Sequence, residues 1–453
     1  DSPSLGRAQY LSSTPDAGGK TGRNRGYINV VPNSTPGFEP VPGGPAYSGG
    51  GYTYTYNLAL NVRDDKLYGG TVHLGIADGV WAEATAYYED KGGYGVSPDS
   101  YSNSLLQYNR QTAAGLALFA PRGTQYGLST VGGDRYGLTT RLHWEMGAHI
   151  VEAGIWAEVD SYNRTHARFN TTDGSPASAP DLDEPVYLRR DYESERNTTQ
   201  AFIKDRISLM DDSLIFDLGV KALHIDYRQS GYRDFNDYYR NAGTALAPVW
   251  VAGWGPQTNT ASYGDGFLPM AGMLYKIDNQ TQLFASYAEN MALPKGMDDI
   301  FSVALNSSAA VVPAPAPERS QNFELGIRTN QGQFYASLAG YYTKFKNRIQ
   351  SISAILPGTT NVTETFFQNV GRVSAYGAEF SGTFRPSALN GLAYFNLNAT
   401  YNVAKFKDDI VTSTVTFATD GKFIPDSAKW IINGGVTIEP AQGPVGLLHQ
   451  VMV

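Results

Sequence analysis

The side chains that could do covalent chemistry are scattered along the chain. Six histidines, His73, His143, His149, His166, His224 and His449, show no His-Glu-x-x-His spacing, and with 0 cysteines there is no thiolate to act as nucleophile or metal ligand. The Gly-x-Gly occurrences lie in loops or strands, so no phosphate-cradling loop joins a strand to a helix. Asp181, Asp183 and Glu184 could hold a calcium ion, but their spacing fits no EF-hand and reads as a solvated acidic turn. No nucleophile stands beside a partnered base. The sequence therefore predicts no catalytic residue, no metal site and no cofactor.

Binding chemistry is better represented. The segment Gln229 to Gly266 carries Tyr232, Arg233, Phe235, Tyr238, Tyr239, Arg240, Trp250 and Trp254. Aromatic faces stack on flat ligands and guanidinium groups pair with anionic ones, so the set suits a chelate with catecholate or carboxylate groups. Tyr232 and Tyr263, near a strand end, could instead belong to an interfacial aromatic belt, and Trp250 and Trp254 could serve loop packing. A second basic segment, Ser161 to Asn197, holds Arg164, Arg168, Tyr187, Arg189 and Arg190. Its arginines could bind an anion or offset Asp181, Asp183, Glu184 and Asp191.

The elements that must position these residues announce themselves by alternation. In Leu392 to Phe406, Ala393, Phe395, Leu397, Ala399, Tyr401 and Val403 alternate with Asn396, Asn398, Thr400 and Asn402, a period of two that means strand. One greasy face and one amide-rich face over ~10 or more residues suits a tilted membrane-spanning strand. A mean hydropathy of −0.31 is compatible with this, because alternation averages out. No run of ~18 apolar residues marks a transmembrane helix. The 30 tyrosines and 49 glycines, with 17% charged residues, favour strands, tight turns and aromatic belts. A net charge of −8 argues against a nucleic-acid partner, whose phosphates need a basic face.

Residues 1–51, rich in Gly, Pro, Ser and Asn, read as an irregular loop region, and 52–453 as an all-β, antiparallel transmembrane β-barrel of up-and-down hairpins. Seven strand–turn–strand units are discernible, roughly 14 strands, turning at Asp78-Gly79, Gly147-Ala148, Asp211-Asp212-Ser213, Asp278-Asn279, Asn330-Gln331-Gly332, Asn390-Gly391 and Gln442-Gly443-Pro444. Long connections separate the units: Lys91 to Asp134, Ser161 to Asn197, Gln229 to Gly266, Ala292 to Pro317, Ser351 to Thr365 and Lys407 to Ala428. Short and long alternate, as in outer-membrane barrels with tight periplasmic turns and extended extracellular loops. A soluble propeller, sandwich array or surface fibre has shorter strands and does not sort its loops by length.

Three segments carry a resemblance. Pro317-Glu318-Arg319-Ser320-Gln321-Asn322-Phe323-Glu324-Leu325-Gly326, the pair Asn369-Val370-Gly371-Arg372-Val373 and Gly377-Ala378-Glu379-Phe380, and Leu283-Phe284-Ala285-Ser286-Tyr287-Ala288-Glu289 resemble, in order and spacing, runs in the barrels of TonB-dependent outer-membrane receptors. Glu324 and Glu379 fall on the polar faces of their strands, where lumenal water or a plug can satisfy them; on the lipid face a charge would cost a few kcal/mol.

The resemblance implies a ligand-gated active transporter that binds a scarce solute with its extracellular loops, a ferric siderophore first, with cobalamin, haem or an oligosaccharide as other cargoes. It implies two further partners, outer-membrane lipid and the TonB complex of the inner membrane, engaged through a segment before the barrel. The chain departs from the pattern in two places. Residues 1–51 show no plug-like run, and Val451-Met452-Val453 is not an aromatic-ended closing strand. Against the ~22 strands of such transporters, a chain cut at both ends is expected. A passive porin, a soluble or surface β-fibre or propeller adhesin, and, for want of a nucleophile, an outer-membrane enzyme are the rivals.

Overall fold

In the computed structural model the described residues are 60–97, 101–122, 125–172, 179–292, 316–355, 363–411, 416–425, 427–438 and 449–452. The expected irregular region 1–51 and the turn at Gln442-Gly443-Pro444 lie outside them. Among the described residues one antiparallel sheet dominates. Its strands are β1 (Leu60–Arg63), β2 (Lys66–Ala77), β3 (Val80–Ser97), β4 (Gln125–Met146), β5 (His149–Thr171), β6 (Pro180–Leu209) and β7 (Leu214–Tyr232). Two short strands outside the sheet, β8 (Tyr239–Asn241) and β9 (Trp250–Ala252), pair with each other. The sheet resumes with β10 (Gln257–Lys276), β11 (Thr281–Ala292), β12 (Glu318–Asn330) and β13 (Phe334–Lys346). A hairpin of β14 (Ile349–Ile355) and β15 (Thr363–Asn369) follows, then β16 (Val373–Phe384) and β17 (Ala393–Phe406). After the small hairpin β18 (Ile410–Val411) and β19 (Thr416–Phe417), β20 (Trp430–Ile438) and β21 (His449–Met452) complete the sheet. β1 and β2 both pair with β3, so the 15 strands of the sheet occupy 14 positions. That is the number read from the alternation.

The cross-strand register shows why the sheet forms this way. One rung runs Leu74, Ala82, Leu142, Ala153, Ile203 and Val220, and further along the same face of the sheet Ala285, Leu325, Gly340, Ala378, Tyr401 and Trp430 stand in line. The larger aliphatic residues of these rungs and Trp430 are uncovered, with Leu74 59%, Leu325 64% and Trp430 60% exposed. An apolar band this wide is stable only against hydrocarbon. The opposite face is ionic. Arg141 lies 3.6 Å from Glu83 and 3.7 Å from Glu152, and Arg206 Nε donates to Asp217 at 2.8 Å. Tyr87 Oη donates to Glu158 at 2.6 Å and also accepts from Trp156 Nε1 at 2.9 Å. Tyr87 lies over Gly137, where a Cβ would come within 2.5 Å of its hydroxyl. Tyr341 crosses Gly377 of the family-like run in the same way, and its hydroxyl reaches Asn402 Oδ1 at 2.8 Å.

The tight turns fall where expected. Gly79, Gly147, Gly332 and Gly391 have φ of 71°, 58°, 74° and 80°, and Asp278 Oδ1 accepts from the Gln280 and Thr281 amides, both at 2.7 Å. The long connections differ from expectation. β3, β4, β5, β6, β7 and β10 are 18, 22, 23, 30, 19 and 20 residues long, where ~9–11 cross a membrane. Much of Lys91 to Asp134, Ser161 to Asn197 and Gln229 to Gly266 is therefore hairpin standing beyond the bilayer. Arg164, Arg168, Arg189 and Arg190 sit on strands β5 and β6, not in a loop. Beyond the lipid both faces are polar, so the ladder continues after the alternation that reveals it has ended. The belt assignment also changes. Tyr232 lies at the far end of β7, and Tyr263, opposite Ile225, is on the polar face. Tyr88 and Tyr136, paired and exposed on the apolar face, occupy the belt position instead.

Candidate functional site

The outer ends of β5, β6, β7 and β10 carry a cap made of helix α1 (Tyr101–Ala113) and the segment 233–256. Helix α1 presents Ser104, Gln107 and Gln111 inward, all buried, at helical spacing. The Gln111 amide donates to Leu188 O at 2.7 Å and accepts from Leu188 N at 3.0 Å. It thereby satisfies backbone groups beside a bulge, where the β5–β6 register slips between His166 and Ala167. Tyr239 Oη donates to Gln107 at 2.6 Å, and the Arg110 guanidinium lies 4.6 Å from the Trp250 ring centre. Segment 233–256 opens on a single helical turn, α2 (Phe235–Tyr238), capped by Asp234. The β8–β9 hairpin follows it.

The aromatic set expected from the sequence gathers in this cap as one stacked pair and one chain of tilted and edge-on contacts. Tyr232 and Tyr238 stack at 4.4 Å, Phe235 lies 5.9 Å from Tyr187 and 6.0 Å from Tyr239, and Tyr239 meets Trp250 edge-on at 5.5 Å. Arg189 and Arg240 lie over Phe235 and Trp254 at 5.4 and 4.7 Å. Three of the expected ligand contacts are committed elsewhere. Arg233 is buried and grips buried Asp237 through Nε and Nη2 at 2.9 and 2.8 Å, and Tyr238 and Tyr239 are buried in packing. The reason is desolvation: the guanidinium inside the cap needs a carboxylate partner. Tyr232, Phe235, Arg240, Trp250 and Trp254 remain partly exposed.

The arginines of the second segment converge. His166 and Arg190 are directly paired across β5 and β6, with Arg164 and Arg168 two residues to either side of His166. Arg189 donates to Asp234 at 3.1 Å and Arg190 approaches the same carboxylate at 3.7 Å. Arg168, buried, donates to Tyr187 Oη at 3.1 Å and to Ser97 O, and Arg164 hydrogen-bonds the Tyr192 hydroxyl. Burial, reinforced by Arg168, Arg189, Arg190 and Arg164, pushes His166 down to about 3. The site is thus a patch of concentrated positive charge with a neutral imidazole in the middle and aromatic rings at its rim. Nothing in the sequence singles out Gln107, Gln111, Arg110 or Asp234, and His166 is there only one of six scattered histidines; cross-strand register is what sets it beside the arginines.

Glu324 and Glu379 sit apart from this site, exposed on the polar face opposite Phe323 and Phe380. The family-like residues around them build a clasp at the outer end of β12 to β16. Glu318 accepts from Arg348 Nη1 at 2.6 Å and from Ile349 N at 2.9 Å. Asn369 Nδ2 donates to Ala316 O and Asn347 O at 2.9 and 2.8 Å. Gly371, at φ 88°, leaves room for Asp408, which takes the Arg372 amide and guanidinium at 2.6 and 2.7 Å. These residues tie the base of the β14–β15 hairpin to the sheet.

Antiparallel hairpins with one hydrocarbon-facing surface, tight turns at one end and a built-up cap at the other define an outer-membrane β-barrel protein. The chain belongs to the TonB dependent receptor-like, beta-barrel family, which matches residues 3–446, and its place is the outer membrane of a Gram-negative bacterium. No curated protein matches the sequence. Among solved structures, the ferric yersiniabactin uptake receptor FyuA from Yersinia pestis is 13% identical, with a TM-score of 0.55 over 86% of this chain and 49% of its own. The copper transporter OprC is 13% identical, with a TM-score of 0.56 over 83% of this chain and 50% of its own. The siderophore receptor PiuA from Acinetobacter baumannii is 15% identical, with a TM-score of 0.52 over 85% of this chain and 53% of its own. The chain spans about half the length of these proteins.

Proposed function

We propose that the chain is the barrel part of a TonB-dependent receptor that captures an anionic metal chelate at the arginine cluster, with a ferric siderophore as first cargo, and passes it inward when the TonB complex supplies energy. The observation that carries this reading is the convergence of Arg164, Arg168, Arg189 and Arg190 on His166 beside Phe235 and Tyr187. Guanidinium groups pair with catecholate or carboxylate oxygens, and the rings at the rim stack on flat chelating groups. The neutral imidazole adds a hydrogen-bonding group without adding repulsion. FyuA and PiuA, named for a ferric and a siderophore cargo, support the choice by fold alone.

The test is equilibrium binding of a ferric tris-catecholate to the full-length protein in outer-membrane vesicles. Arg164→Glu with Arg190→Glu is expected to weaken binding by tenfold or more, roughly the loss of one charge-assisted contact, and added salt to weaken it further. Uptake is expected to require TonB. Equal affinity in the charge-reversed protein, or a steady open pore without TonB, would overturn the reading.

A further inference from the structure

Two strands along the same polar face from His166 lies a cluster of amide side chains that the arginine site does not use. Gln229 of β7 is directly opposite Asn259 of β10, and Gln257 is two residues from Asn259 on the same face. Gln229 is also directly opposite Ser194 of β6, which joins this cluster to the face carrying Arg190 and Tyr192. Gln229, Asn259 and Gln257 are 0, 4 and 4% exposed. Burial of this degree calls for hydrogen-bond partners, yet Gln229 Nε2 and Oε1, Asn259 Nδ2 and Gln257 Oε1 have none. Gln257 Nε2 is engaged, donating to Trp254 O at 3.2 Å and Gly255 O at 3.1 Å.

The unpaired atoms comprise donors, on Gln229 and Asn259, and acceptors, on Gln229 and Gln257. A fully ionised carboxylate or catecholate accepts only and an ammonium or guanidinium donates only, so neither would satisfy the set. A neutral group that both donates and accepts would. We propose that Gln229, Asn259 and Gln257 form a second subsite of the chelate-binding site that recognises secondary amides in the ligand's scaffold, the arginines holding its charged end. The inference rests on the chelate reading above. Access requires the Trp254–Gly255 turn to move away from Gln257, an exchange of two bonds to neutral carbonyls for bonds to the ligand. Leaving such amides unpaired in a dry site is unfavourable, so a ligand that supplies the partners gains and one that lacks them does not.

Two ferric tris-catecholates of equal charge test this on the full-length protein in vesicles. One has secondary amide arms; in the other each amide is N-methylated and so lacks its N–H. The wild type is expected to prefer the secondary amide by about tenfold, the value of one satisfied buried partner. In Gln229→Leu with Gln257→Met, which removes both acceptors, that preference is expected to vanish, whereas Asn259→Leu, which removes only a donor, is expected to leave it. Protease-resistant migration on gels checks that the variants fold. A cluster filled by ordered water would show no preference, and equal binding of the two chelates by the wild type, or a preference retained once both acceptors are removed, overturns the subsite alone. Failure of both chelates to bind overturns the chelate reading and this one with it.

Discussion

His166 is the residue whose surroundings are most at odds with its chemistry. An imidazole ordinarily titrates near 6.5, but here burial and the neighbouring arginines push it down to about 3. Between those two values the unfolded chain holds a proton that the folded site does not. Stability therefore falls as pH drops below 6.5, by about 1.4 kcal/mol per pH unit until the lower value is reached. The β5–β6 outer hairpin of the wild type is expected to melt at lower temperature at pH 5 than at pH 7. His166→Gln, which cannot take up the proton, should flatten that dependence whatever it does to the melting point itself. Near-ultraviolet circular dichroism of the packed tyrosines would follow the transition, and equal pH slopes in the two proteins would remove His166 as the cause.

At the scale of elements, helix α1 is held to the strands by polar contacts. Gln111 occupies both backbone groups of Leu188, and replacing it with leucine strands a buried donor and acceptor at a cost of about 1–3 kcal/mol each. Gln111→Leu is expected to loosen α1, so that trypsin cuts at Arg110 faster while the barrel survives heat and detergent as before. An unchanged cleavage rate would mean that the Arg110–Trp250 and Gln107–Tyr239 contacts hold the helix by themselves. The same contacts explain what could be read in advance. The spanning strands and their turns were legible because lipid on one side and water on the other impose alternation, as at Phe395 and Asn396. The helix was not, because its buried stripe is Ser104, Gln107 and Gln111, and a periodicity search for apolar residues passes over it. Arg164, Arg168, Arg189 and Arg190 were visible as a basic group. Their meeting at His166 depends on register, which the sequence does not display.

For the whole molecule, the decisive property is the separation of two environments by one sheet. Leu325 and Leu397 stand uncovered on the apolar face, while their neighbours Glu324 and Asn398 are exposed on the other. If the first face meets lipid, an arginine at Leu325 near the middle of the bilayer costs about 2–4 kcal/mol, whereas a polar replacement of Glu324 costs little. The absence of cysteine from the chain makes a direct measurement simple, since each introduced cysteine is the only labelling position in these 453 residues. Spin labels at 325 and 397 are expected to be relaxed by oxygen dissolved in the bilayer and shielded from a charged nickel complex in water. Labels at 324 and 398 should show the reverse ordering. The alternation continues across β12, β13, β16 and β17 without a register shift, so a label one residue along any of these strands should change sides each time. A sheet wetted equally on both faces would give no such oscillation, and the assignment to the membrane would not survive it.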